Sequence, residues 1–233
     1  KEAKLITGTE IDSILHHICR CSVYAFGNEV KEGYITVQGG HRIGLAGEVV
    51  VDENNRITTI KYVTFMNIRI SHQILGVADE VIDFLYEGNK VKNSLIISPP
   101  GCGKTTMLRD VVRQLSKGNY KRKAFKIGVV DERNEIAGGY KGIPQNDVGI
   151  RTDVIENVDK NRGIHMLIRT MAPEIVACDE IGSKEDVEAI RYALYSGVKG
   201  IFTMHGRNVD DIKNNKQIYD LIENREIQKV VFL

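Results

Sequence analysis

The sequence predicts an α/β protein: a domain with a parallel sheet, preceded by a small α+β domain with antiparallel strands. Three observations carry this. From Val77 onward short apolar runs alternate with helical patterns, the order that lays parallel strands side by side with helices crossing between them. Before that, one helical stretch is followed by strand-like runs broken at turn-forming residues. Between an apolar run and a helical pattern stands a Gly-rich loop, Ser98 to Thr106. The division is placed at 73/74, giving a small domain over residues 1–73 and the parallel-sheet domain over 74–233.

Taken in order, Ile11, Ile14, Leu15, Ile18 and Cys19 recur at helical spacing between Thr9 and Phe26, with Thr9 as the expected N-cap. Strands are expected at Tyr34–Val37, Ile43–Val51, Ile57–Val63 and Met66–Ile70. Gln38-Gly39-Gly40 and Asp52-Glu53-Asn54-Asn55 turn the chain between them, so they read as antiparallel hairpins. The second domain is expected to run as a helix at Val77–Tyr86, strand Leu95–Ile97, helix Thr105–Leu115, strand Phe125–Val130, helix Arg162–Met171, strand Ile175–Cys178, helix Lys184–Ser196 and strand Lys199–Met204. Arg133 to Asn161 shows no period. A loop of that length inside a compact domain is functional or mobile, or conceals an element.

Composition sets the outer bounds. In 233 residues there are 32 Lys+Arg against 31 Asp+Glu, a formal net charge of +1, which argues against a strongly nucleic-acid-coating protein. With 42% hydrophobic and 27% charged residues the chain has the profile of an ordinary globule, not a disordered one. No apolar run approaches the roughly 18 residues of a membrane span, and Lys1-Glu2-Ala3-Lys4 opens no signal peptide. The expectation is a cytosolic chain, trimmed at its start. Cys19 and Cys21 are too close for a zinc ribbon or a redox pair, and Cys102 and Cys178 lie inside motifs; all four are expected to be free, small buried hydrophobes.

Ser98-Pro99-Pro100-Gly101-Cys102-Gly103-Lys104-Thr105-Thr106 follows a strand and opens a helix, the setting of a phosphate-binding loop. Gly101 and Gly103 let backbone N–H groups turn inward, and the helix N-terminus adds about half a positive charge. Lys104 can then reach the β- and γ-phosphates, and the Thr105 hydroxyl can ligate Mg²⁺. The pattern usually begins with Gly six residues before the Lys, where this chain has Ser98. Downstream, Glu174-Ile175-Val176-Ala177-Cys178-Asp179-Glu180 reads as a buried strand delivering two acids to the carboxyl edge of the sheet. Asp179 would hold the metal and Glu180 would polarise the attacking water. Ile127-Gly128-Val129-Val130-Asp131-Glu132 offers a similar edge, so Glu132 rivals Glu180 as the base. Phe202-Thr203-Met204-His205-Gly206 ends a further strand with polar groups suited to sensing a γ-phosphate, although a lone His after a strand is commonly structural.

These phrases resemble a known group. Met166 to Glu174, running into Cys178-Asp179-Glu180-Ile181, resembles the helix and Walker B strand of the type II and type IV pilus secretion ATPases; Thr203 and His205 resemble their histidine box, and Val130-Asp131-Glu132 their aspartate box. More closely, His41 to Gly47, Asn67-Ile68-Arg69-Ile70, Ser98 to Thr106, Val130-Asp131-Glu132-Arg133 and Pro144 to Gly149 are together similar to the stage III sporulation protein AA family of endospore-forming bacteria, over about Gly8 to Asp210. The resemblance implies a RecA-like P-loop ATPase that uses ATP and Mg²⁺ and acts as a homo-oligomeric ring, a hexamer. Its implied place is the base of an envelope-spanning secretion channel between mother cell and forespore, cytoplasmic on the mother-cell side and peripheral to the membrane through membrane-embedded channel proteins. It further implies that arginines of the small domain approach the γ-phosphate. Arg42 and Arg69 are the matching residues, with Arg151 and Arg169 as alternatives, because a guanidinium neutralises charge on a transferring phosphoryl group. Asp179 stands where secretion ATPases commonly carry Gly. Their tetracysteine motif is absent, so no zinc is expected, and the stretch from His205 to Leu233 leaves little room for the C-terminal helical region of the larger members.

Two other readings stay open. RecA-like folds also remodel nucleic acid, and the run Lys117 to Lys126 with Tyr120 and Phe125 interleaved is the feature that would bind it, against a plain reading as a solvated helix-to-strand loop. A nucleotide-gated scaffold with little turnover is the other, opposed by intact Lys104, Thr105, Asp179 and Glu180.

Overall fold

The computed structural model describes residues 6–19 and 30–233. It divides into two compact units: the described residues up to His72 together with Gly138–Gln145, and Gln73–Ala137 together with Asn146–Leu233. The sequence division at 73/74 does not anticipate the return of Gly138–Gln145 to the first unit.

In the first unit, helix α1 spans Gly8–Ile18. Its N-cap is Thr7 rather than Thr9: the Glu10 N–H donates to Thr7 Oγ1 and the Glu10 carboxylate accepts the Thr7 N–H at 2.9 Å, a reciprocal capping box. The stretch expected to continue the helix toward Phe26 falls partly outside the described residues. Strands β1 (Tyr34–Val37), β2 (His41–Val51) and β3 (Ile57–Arg69) form an antiparallel sheet in that order. Ile11, Leu15 and Ile18 of α1 pack on a core of Cys19, Val30, Ile35, Ile43, Leu45 and Val63. The two strands expected at Ile57–Val63 and Met66–Ile70 are one. The pairing shifts register between Ala46 and Glu48, and Tyr62 adopts φ +45°, a bulge that bends the hairpin. Gly47 is required there, since a Cβ on it would stand 2.5 Å from the Tyr62 carbonyl. In the returning segment, Gln145 Oε1 accepts the Gly39 N–H at 2.8 Å, holding the β1–β2 turn.

The second unit begins with a run expected as a helix at Val77–Tyr86. It forms instead a succession of turns, with bonds such as Phe84 N–H to Val81 O and Tyr86 N–H to Asp83 O. Its apolar spacing still buries Ala78, Ile82 and Leu85. A two-strand ribbon follows, β4 (Tyr86–Glu87) and β5 (Lys90–Val91). Six strands then build one parallel sheet: β6 (Ser94–Ser98), β7 (Ile127–Asp131), β8 (Thr152–Glu156), β9 (Ile175–Cys178), β10 (Lys199–His205) and β11 (Lys229–Phe232), in the order β11-β6-β10-β9-β7-β8. Strand β8 is the element concealed in the aperiodic stretch. Helices α2 (Lys104–Lys117), α3 (Lys160–Met171) and α4 (Lys184–Tyr195) cross between strands, and α5 (Val209–Asn214) and α6 (Lys216–Glu223) precede β11.

Both faces of the sheet are covered, which is why its strands read as continuous apolar runs. Alternate residues go to opposite faces: Ile96, Val129 and Ala177 meet Leu108, Val111 and Leu115 of α2, while Leu95, Ile97, Val130 and Val176 meet Ile164 and Leu167 of α3 and Val187 and Ile190 of α4. Each such fully buried Val, Leu or Ile side chain contributes about 1.5–3 kcal/mol. The functional consequence is the strand order. With β10 inserted between β6 and β9, the carboxyl ends carrying Ser98, His205 and Cys178 are consecutive along one edge of the sheet.

Candidate functional site

The loop from Ser98 to Thr106 leaves the end of β6 and enters α2. Gly101 and Gly103 hold φ of +77° and +88°, and Gly103 is the N-cap with no side chain bonded to the first turn. The leading N–H groups of α2 are thus left for an anion, at the end of the helix where its dipole is positive. A Cβ on Gly101 or Gly103 would meet open space, so these glycines are demanded by their backbone conformation and not by crowding. Ser98 is buried and its hydroxyl donates to the Pro99 carbonyl at 3.0 Å. Pro99 is half-buried, Pro100 and Cys102 are exposed, and Thr105 and Thr106 are half-buried in the first turn. The expectation that all four cysteines are buried therefore fails at Cys102, because the loop lifts it off the sheet. Cys19 and Cys178 are buried and free, and Cys21 lies outside the described residues.

Lys104, the first residue of α2, is 5% exposed, and its Nζ lies 2.9 Å from His205 Nδ1. His205 Nε2 lies 3.0 Å from Glu180 Oε1. An ammonium only donates and a carboxylate accepts, so this pairing assigns His205 the tautomer with its proton on Nε2. Arg133 Nη1 donates to the second oxygen of Glu180, Oε2. Lys104, His205, Glu180 and Arg133 thereby form one chain across the ends of β6, β10, β9 and β7. Glu180 itself has φ +49°, a conformation costing about 1–3 kcal/mol for a residue with a side chain. Thr203 holds it there: its hydroxyl accepts the Glu180 N–H at 2.9 Å and its carbonyl accepts the Ile181 N–H at 2.8 Å.

The neighbouring acids are deeper. Asp179 is 2% exposed, and its Oδ2 has no hydrogen-bond partner among the described residues. Burial, reinforced by the nearby Asp131 charge and opposed by Lys160, pushes its carboxyl up to about 7. Asp131 is fully buried and also raised by burial, against the pull of three backbone N–H groups and Arg109. Those donors are the amides of Glu135, Ile136 and Ala137. Arg109 of α2 bonds the carbonyls of Glu135 and Ile136, both at 2.6 Å. Asp131 therefore caps the turn after β7. Glu132 is bonded by Lys160, the nearly buried first residue of α3; burial lowers the lysine, but its bond to Glu132 and the charge of Asp186 hold it above the ordinary value.

A divalent cation fits this donor set. An orphaned, buried carboxylate oxygen on Asp179 faces a net excess of negative charge, and Mg²⁺ favours one or two protein oxygens completed by phosphate and water over an all-protein cage. No cluster of three or more His, Cys, Asp or Glu able to hold a metal occurs among the described residues.

The remaining expected residues are dispersed. Arg42 on β2 and Arg69 on β3 are direct cross-strand partners in the first unit, with the Arg42 guanidinium 3.7 Å from the centre of the Tyr34 ring. Arg151 and Arg169 are exposed. In the basic run, Lys117 pairs with Asp147, Arg122 with Asp83, Lys123 with Glu174 and Lys126 with Asp153, and Phe125 is buried while Tyr120 is 92% exposed. Arg133, Lys160 and Arg109 carry structure at the site, yet no sequence period marks them; only the position of Arg133 directly after a strand-end acid pair offered a signal. No helix among the described residues is long and apolar enough to cross a membrane.

The chain is 41% identical over 227 residues to stage III sporulation protein AA of Bacillus subtilis (strain 168), covering 97% of this chain and 73% of that one. It is 30% identical over 156 residues to the uncharacterised protein ycf45 of Porphyra purpurea, which is 66% of this chain and 26% of that one. Among solved structures it is similar to the pilus retraction motor PilT (TM-score 0.62, 14% identity) and to the Legionella pneumophila ATPase DotB (TM-score 0.55, 14% identity), covering 95% of this chain in each case. It spans 64% and 63% of those two chains. The likeness shows the fold: a RecA-like domain with a parallel sheet, and a small α+β unit with antiparallel strands. The model of the family described as sporulation stage III, protein AA matches residues 1–233, and the chain belongs to that family.

Proposed function

We propose that this protein is an Mg-ATP-hydrolysing motor of a secretion or channel complex used in sporulation, working as a homo-oligomeric ring, a hexamer, at the cytoplasmic face of a membrane on the mother-cell side. Membrane-embedded channel proteins are its proposed partners and attach it there. The observation that carries the reading is the chain Lys104–His205–Glu180 at consecutive strand ends, beside a glycine loop whose helix N-terminus is open to an anion. The similarity to PilT, whose crystal structure holds ADP, supports it.

In this reading the loop amides of Gly101 to Thr106 and Lys104 bind the phosphates, and the Thr105 hydroxyl and Asp179 carboxylate would hold Mg²⁺. The cation would neutralise charge on the β- and γ-phosphate oxygens. Glu180 takes the role of base over Glu132 because their counter-ions differ. Glu132 is held by a lysine whose side chain is 9% exposed, while Glu180 is held by an arginine 58% exposed, so the counter-ion of Glu180 is the better screened by solvent. His205 links the phosphate-gripping lysine to that base and is suited to report an occupied γ-position. Arg42 and Arg69 are proposed as the anion-facing groups of the small unit, being the residues that match the small-domain arginines of the secretion ATPases.

The test is nucleotide binding and steady-state hydrolysis with Lys104→Ala and Glu180→Gln. Lys104→Ala is expected to lose nucleotide affinity. Glu180→Gln is expected to bind normally and to lose about 10²–10⁴-fold in turnover. Wild-type turnover in Glu180→Gln would transfer the role to Glu132.

A further inference from the structure

The segment Pro144 to Gly149 plays no part in the site, yet every side chain from Gln145 to Val148 is hydrogen-bonded or buried. The chain passes between the two units three times, at His72–Gln73, Ala137–Gly138 and Gln145–Asn146. On the second unit's side these three ends are bonded together. The Asn146 N–H donates to the Ala137 carbonyl at 3.0 Å, and its buried side chain donates to the Ile136 carbonyl at 3.1 Å. Gln73 holds the backbone of Asp147 twice: its Oε1 accepts the Asp147 N–H and its Nε2 donates to the Asp147 carbonyl, each at 2.8 Å.

This clasp is fastened to helix α2. Lys117, the last residue of the helix, donates to Asp147 Oδ2 at 2.5 Å, while Asp147 Oδ1 accepts the Gly149 N–H at 3.0 Å. Arg109, in the middle of the helix, donates to the carbonyls of Glu135 and Ile136. Gly149, at φ +93°, lies so near α2 that a Cβ on it would stand 2.5 Å from Ser116 Cβ. Helix α2 therefore carries the phosphate loop at its amino end and, toward its carboxyl end, the residues through which the chain enters and leaves the second unit.

We propose that Asp147 couples these two ends, so that an occupied phosphate loop tightens the clasp. A ligand that binds only the intact loop makes every opening that destroys the loop costlier, by a factor of 1 + [L]/Kd in its equilibrium. Segments that open together with α2 share that factor, and segments that open without it do not. Asp147 is bonded to α2 through Lys117 and to Gln73 through its backbone, which joins the crossings at 72/73 and 145/146 to the opening of the helix. The proposal rests on the reading of Ser98 to Thr106 as a nucleotide-binding loop.

The experiment is amide hydrogen exchange with and without Mg-ADP, for wild type, Asp147→Ala, Lys117→Met and Lys117→Arg, with an ADP titration and a thermal melt for each. In wild type the amides of α2 and of residues 146–149 are expected to slow together, by up to about 100-fold at ADP 100 times its Kd. In Asp147→Ala and Lys117→Met, residues 146–149 are expected to exchange about two- to fivefold faster without ligand, the worth of an exposed ion pair. They are also expected to lose most of their response to ADP, while α2 keeps its response and ADP affinity is unchanged. Lys117→Arg, which still pairs with Asp147, is expected to behave as wild type. The Lys117 variants carry the test if Asp147→Ala fails to fold. Residues 146–149 that ignore ADP in wild type while α2 slows would overturn the proposal, as would an equal response in wild type, Asp147→Ala and Lys117→Met. Failure of wild type to bind ADP in the titration would instead remove the reading of the loop, and the proposal with it.

Discussion

At the scale of single residues, Asp179 is a group whose environment opposes its charge. Its carboxyl is raised from the ordinary aspartate value of 3.8 to about 7 because burial and the Asp131 charge both oppose ionisation. The sign for stability follows. Between about pH 4 and pH 7 the folded protein binds a proton that the unfolded chain has released, so stability falls as pH rises through that window and is level above it. At about 1.4 kcal/mol per unit, the whole shift is worth up to about 4 kcal/mol. Asp179→Asn, measured by thermal unfolding without nucleotide, is therefore expected to melt above wild type at pH 8, with the gap closing toward pH 4. The same variant is expected to lose the Mg²⁺ dependence of nucleotide binding. A buried acid that costs stability and gains a partner only from a cation is the pattern of a site arranged for its ligand.

At the scale of elements, the spacing of apolar residues located four of the six parallel strands and the main crossing helices, because each of these buries a whole face. It failed where burial was incomplete or local geometry intervened. Val77–Tyr86 has helical spacing but forms turns, its Ala78 N–H being bonded to the Asp110 carboxylate on α2 at 2.9 Å. Strands β8 and β11 were missed because they are the two edge strands and neither has a fully buried residue. Helix α3 shows how tightly elements meet behind the site. Gly163 lies where a Cβ would be 2.5 Å from Val130 Cγ1. Gly163→Ala is thus expected to destabilise by about 1–3 kcal/mol from overpacking, outweighing the roughly 1 kcal/mol that Ala gains over Gly in a helix. Chemical denaturation would show this as a lowered midpoint with unchanged slope.

At the scale of the whole molecule, the proposed ring makes a prediction that no single site does. Turnover per subunit should rise steeply with protein concentration as protomers assemble, in parallel with the mass seen by light scattering. Turnover independent of concentration would make the protomer the enzyme. The sequence by itself determined that a phosphate loop, a strand-end acid pair and a polar strand end exist, because each depends on local chemistry: glycines for backbone freedom, an apolar run for burial, carboxylates for charge. The tertiary structure alone decided that they meet. Only the insertion of β10 between β6 and β9 brings His205 between Lys104 and Glu180, and strand order is set by long-range packing that leaves no local trace. The same holds for Arg133, Lys160 and Arg109. Each is an ordinary basic residue in the sequence, and each acquires its role from a carboxylate or a turn that the fold, not the neighbouring residues, sets beside it.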